Sequence, residues 1–133
     1  MEKAARVLGY AGLIPFIALT AGVAIPDQPY SLPAFLAYSA VILSFLGGIH
    51  WGVLMQEGNN NVTRALCICM LPSLAAWAAL LLPDRWALLM LSVSYFAWWR
   101  HDRAIITTVW YQKLRLQLTF VVILMHLIWL LIL

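Results

Sequence analysis

Five long apolar runs, separated by short polar breaks, set the pattern of this chain. They cover residues 4–25, 33–55, 65–82, 86–99 and 114–133. About 20 apolar residues in a helix cross the hydrocarbon of a bilayer. Four runs reach or approach that length, and 86–99 is the shortest. The segment Pro26-Asp27-Gln28-Pro29 stops the first run, because proline lacks the N–H a helix interior needs. Gln56-Glu57-Gly58-Asn59-Asn60-Asn61 reads as a polar loop and Pro83-Asp84-Arg85 as a tight turn. Residues 100–113 read as a longer connector, with Ile105, Ile106, Val109 and Trp110 as the apolar face of a short interfacial helix. In lipid only helices and closed barrels satisfy every backbone group, and these runs are too long for barrel strands. The predicted fold is all-α: one polytopic helical membrane bundle over residues 1–133, with about five transmembrane helices.

Composition agrees with that pattern. Of 133 residues, 65% are hydrophobic and 10% are charged. A soluble domain carries about a quarter charged residues and exposes much of its surface, so a water-soluble globule is excluded. The placement of charge adds an orientation. Lys3, Arg6, Arg64, Arg100, Arg103, Lys113 and Arg115 fall on one set of connectors, and Arg85 alone on the other. The positive-inside rule then puts the N-terminus in the cytoplasm. The interior of the spans reads as free of Asp, Glu, Lys and Arg, which leaves an ion or proton relay without carriers. Gly22 and Ala24 resemble a weak cleavage site, but the run is long for a signal peptide and is read as an uncleaved helix. No Arg- and Ser-rich presequence precedes it, which favours a bacterial inner membrane over a mitochondrial one.

The candidate chemistry lies in three places. In the second run Ala40, Ser44, Gly48 and Gly52 recur every fourth residue, a stripe of small side chains along which another backbone can approach. Intramolecular packing is the plainer use of this stripe, and an oligomer or partner interface the sharper one. His50, Trp51 and Trp77, with Ser44, Gly47 and Gly48, form a candidate ligand or interhelical site. Pro72 predicts a kink in the third run. Asp102 lies among Arg100, His101, Arg103, Lys113 and Arg115. Arg103 and Arg115, with Asp102, Trp110 and Tyr111, form a candidate headgroup or anion site; topology-setting cations and aromatic anchors are the plainer reading. By helical rise His50 and His126 differ in depth by about 13 Å, which argues against a shared haem. His126 is expected to hydrogen-bond within the bundle, with Thr119 as its nearest same-face partner. The tryptophans Trp86, Trp98, Trp99, Trp110 and Trp129 read as interfacial belt residues. Cys67 and Cys69, two apart on a helix, point to different faces and read as packing residues.

The stretches Leu8-Gly9-Tyr10-Ala11-Gly12-Leu13-Ile14-Pro15-Phe16, Ser44-Phe45-Leu46-Gly47-Gly48-Ile49-His50-Trp51-Gly52 and Leu71-Pro72-Ser73-Leu74-Ala75-Ala76-Trp77, with Asp102, Trp110-Tyr111, Leu114-Arg115 and Leu118-Thr119, carry a resemblance over nearly the whole chain. Together they resemble the transmembrane protein 69-like family, small multi-helix membrane proteins of unknown function. The resemblance implies the helical membrane fold and no catalytic residues.

No nucleophile–histidine–acid order, metal-ligand spacing, phosphate loop or dinucleotide motif is present. The reading is therefore a non-enzymatic inner-membrane component, with no cofactor, no metal and no nucleic acid. Its expected partners are the bilayer and either a second copy or another membrane protein. The alternatives are a binder of a planar apolar ligand, such as a quinone or tetrapyrrole, and a small oligomeric transporter.

Overall fold

A computed structural model describes residues 2–21, 31–57 and 63–133. Among the described residues seven helices follow one another: α1 (Glu2–Ala11), α2 (Ile14–Ala21), α3 (Ser31–Glu57), α4 (Thr63–Cys69), α5 (Leu71–Leu80), α6 (Asp84–Ile105) and α7 (Val109–Ile132). No strand occurs among the described residues. Residues 22–25 of the first predicted run, the Pro26–Pro29 stop and the asparagines of the 56–61 loop lie outside them. Among the described residues four helices or helix pairs, α1–α2, α3, α4–α5 and α7, are long and apolar enough to cross a membrane. The 22-residue α6 has the length as well, at roughly 33 Å by helical rise, but carries charges near both ends. The protein is an all-α polytopic membrane bundle.

Two prolines divide the first and third runs. Pro15 offers no N–H to the carbonyl of Ala11, and α1 ends there. The chain turns through Gly12 and Leu13, and the Tyr38 hydroxyl donates to the Gly12 carbonyl at 2.8 Å. Pro72 does the same to Ile68, so the expected kink is a full break at Met70 between α4 and α5. That bend lays the Cys69 carbonyl against α3 at Gly47. A Cβ on Gly47 would stand 2.6 Å from the Cys69 oxygen and 3.3 Å from the Pro72 ring.

The largest departure from the sequence reading is at the fourth connector. α6 continues six residues beyond Trp99 to Ile105, and α7 begins at Val109 rather than near Leu114. The connector is only Ile106–Thr108, and no separate interfacial helix exists there. The Gln112 side-chain amide holds this corner, donating to the carbonyls of Arg103 at 3.2 Å and Ile106 at 3.1 Å. Asp102 and Arg115 are consequently helical residues of the bundle and not loop charges.

The core lies between α2, α3, α5, α6 and α7, around Phe16, Phe35, Leu43, Leu88, Leu91 and Tyr95. Trp98 and Trp129, expected in the belt, are buried instead. Trp98 packs against His50, and the Trp129 indole N–H donates to Thr20. Cys67 is exposed and Cys69 buried.

Candidate functional site

Three helices each contribute one polar residue to each of two layers. On α3, Ser39 and His50 are eleven residues apart, and on α7 so are Arg115 and His126. On α6, Tyr95 and Asp102 are seven apart. At 100° per residue both spacings return to nearly the same face, and all six side chains are buried.

The outer layer joins Ser39, Tyr95 and His126. The His126 ring Nδ1 lies 2.7 Å from the Val122 carbonyl, which can only accept, so Nδ1 carries the proton. In the neutral ring Nε2 is then the acceptor, and the Ser39 hydroxyl, 2.7 Å away, the donor. The Tyr95 hydroxyl donates to the Ser39 carbonyl at 2.6 Å. Phe35 packs edge-on against the imidazole, 4.8 Å between centroids. Both ring nitrogens of His126 are thus hydrogen-bonded. Its partner is Ser39, not the expected Thr119.

The inner layer joins His50, Asp102 and Arg115, exposed by only 2%, 2% and 5%. The Asp102 carboxylate accepts from His50 Nε2 at 2.5 Å, from the Tyr111 hydroxyl at 3.2 Å and from Arg115 Nε at 3.3 Å. Arg115 Nη1 donates to Thr119 at 3.1 Å. Arg115 Nη2 is buried with no partner among the described residues. Beside His50 the ring of His101 stacks at 5.6 Å, and Trp98 contacts both imidazoles. By helical rise His50, Asp102 and Arg115 sit roughly 8–11 Å from the midpoints of their helices, all toward the cation-rich end. Half the hydrocarbon thickness is about 15 Å. An acid and a base therefore lie within the spans, where the sequence reading had none. Their mutual neutralisation and the three donors on Asp102 offset the cost of leaving water.

Between the layers is a cavity of about 140 Å³. Arg115, Thr119 and Tyr95 form its polar side; Phe16, Ile42 and Leu46 are among its apolar walls. Leu8 and Phe45, both well exposed, flank its mouth between α1 and α3.

The other predicted site residues fall elsewhere. Trp51 and Trp77 face outward, at 41% and 63% exposure, away from the buried His50. The Ser44 hydroxyl bonds back to the Ala40 carbonyl. Gly47 meets the α4–α5 bend, while Gly48 and Gly52 have open space beside them. The small-residue stripe is therefore buried at Ala40 and exposed at Gly48 and Gly52, so intramolecular packing does not account for its lower half. The anion group divides: Asp102, Tyr111 and Arg115 come together, whereas Arg103 is exposed with its guanidinium 5.2 Å from the Trp99 ring, and Trp110 lies against Tyr111. Ser39 and Tyr95 are not singled out by the sequence reading, which names His101 only as a neighbour of Asp102; the eleven- and seven-residue spacings on α3, α6 and α7 are the signal that marks the first two.

Among the described residues no group of three His, Cys, Asp or Glu is placed to hold a metal. Residues 1–131 match the family model described as "Protein of unknown function (DUF3429)". The chain is 35% identical to a Xenopus tropicalis protein named Transmembrane protein 69, over 91% of this chain and 51% of that one. It is 37% identical to the Mus musculus protein of the same name, over 62% of this chain and 36% of that one. The chain thus spans about half or less of the length of these relatives. No solved structure matches it.

Proposed function

The chain belongs to the family described as Protein of unknown function (DUF3429), and we propose that it is a non-enzymatic membrane protein that binds a lipid-soluble molecule bearing a hydrogen-bond acceptor or anionic head. The observation that carries this reading is the buried Arg115 guanidinium at the wall of the cavity, with one nitrogen unpartnered. An unsatisfied polar group in the membrane interior costs a few kcal/mol, and such residues mark binding or transport sites by default. A complete ligand site measures about 300–1,000 Å³. At about 140 Å³ this cavity takes a head or a single ring. The tail of the molecule would lie out along Leu8 and Phe45. Asp102 and His50 hold the guanidinium in place and do no chemistry in this reading. The cation-rich end faces the cytoplasm, as the seven-to-one bias of basic residues supports.

The test is mass spectrometry of the chain extracted gently from its own membrane. We expect about one lipid-soluble occupant per chain, and its loss in Ile42→Trp, which fills the cavity without touching the polar layer. Repeated preparations free of any stoichiometric occupant would refute the reading.

A second reading, a subunit that docks another membrane helix, has the open space beside Gly48 and Gly52 in its favour. It expects Gly48→Leu to abolish a crosslink from α3 to a neighbouring chain while the fold is unchanged. If no α3 crosslink forms in native membranes, that reading fails.

A further inference from the structure

The outer face between α6 and α7 carries a second feature, independent of the Arg115 cavity. An apolar hollow of about 240 Å³ runs along it, walled by Phe96, Leu116, Phe120, Leu124 and Leu127. At its cation-rich end it meets a second hollow of about 360 Å³, walled by Arg103, Lys113 and Gln112. Trp99 and Leu116 belong to both, so the two form one groove. Lys113 to Ile123 is roughly 15 Å by helical rise, the depth of one leaflet's hydrocarbon, and Leu127 lies beyond it. We propose that this groove binds an anionic phospholipid, its phosphate on Arg103 and Lys113 and one acyl chain along Phe96, Phe120 and Ile123.

Charge complementarity selects that occupant. Both basic side chains are exposed at the mouth, and no acidic side chain lines either hollow. The nearest acid, Asp102, is buried and turned to Arg115. The Arg103 guanidinium lies over the Trp99 ring, 5.2 Å from its centroid, which holds the cation where the two hollows meet. The Gln112 amide is engaged by the α6 carbonyls, so it fixes the corner from which Lys113 projects. A soluble anion would use only half of such a groove.

Spin-labelled phosphatidylglycerol and phosphatidylcholine, compared by their immobilised fractions around the full chain in phosphatidylcholine bilayers, test the proposal. The wild type is expected to prefer phosphatidylglycerol by at least about fivefold, since each of the two basic residues contributes about that factor near a charged surface. Arg103→Gln with Lys113→Gln should remove the preference. Lys3→Gln with Arg64→Gln, which deletes the same charge at the same end but outside the groove, should keep it. Leu124→Trp should lower the immobilised fraction by filling the apolar half with every charge intact. Equal losses in the two double variants would show a general surface attraction and overturn the proposal, as would a wild type without preference. Loss of the cavity occupant in Ile42→Trp bears on the Arg115 reading alone.

Discussion

Asp102→Asn is expected to destabilise the bundle more than any other single substitution, by about 3–5 kcal/mol. The asparagine has nearly the same shape, so packing is preserved. What disappears is the charge that neutralises Arg115 and the carboxylate that three donors share. Arg115 would then remain 95% buried with no negative charge beside it. Thermal unfolding in a mild detergent reads the loss directly. A melting temperature within a degree or two of wild type would show that Asp102 does not hold the three helices together. Because Asp102 reaches α3 through His50 and α7 through Arg115 and Tyr111, the variant should also loosen α7 from α3. Faster amide exchange in those two helices is the corresponding signature.

Gly47→Ala is the second large effect, expected near 3 kcal/mol, the upper end for overpacking a tight contact. The added Cβ would meet the Cys69 carbonyl at 2.6 Å, and a backbone oxygen cannot rotate away as a side chain can. Relief requires moving the whole α4–α5 bend off α3. Gly48→Ala is the matched control. Nothing lies within 4 Å of its Cβ position, and alanine favours a helix by up to about 1 kcal/mol over glycine. That neighbour should be neutral or slightly stabilising in the same melting experiment. Equal effects of the two substitutions would contradict the close approach at Gly47.

These two residues also show how differently sequence and structure reveal a site. The sequence marks Gly47 as part of a candidate ligand or interhelical site in the second run, and Pro72 as the cause of a kink in the third. Their meeting in space was not visible, since it depends on how two helices cross. Asp102 was harder still. A charge at the edge of an apolar run reads as a loop residue, because an isolated charge inside the bilayer is costly. The helix continues through it because its partners arrive from 13 and 52 residues away. Trp98 and Trp129 looked like belt residues for the same reason, since distance along the chain from a span's middle says nothing of which face is buried. The depth of His50 followed from helical rise alone, and it agrees with the level at which Asp102 and Arg115 lie. The outer layer was legible in part: His126 was expected to find a hydrogen bond, but which helix supplies the partner is a matter of packing.

The central claim is that Asp102 and Arg115 form one buried pair across α6 and α7, and a double-mutant cycle in unfolding free energy measures it most directly. Asp102→Asn and Arg115→Gln are each expected to be strongly destabilising. The doubly neutral variant should recover about 2–3 kcal/mol relative to the sum of the two, because neither charge is then left alone in the bundle. Losses that simply add, with no recovery in the double variant, would mean that the two groups do not meet.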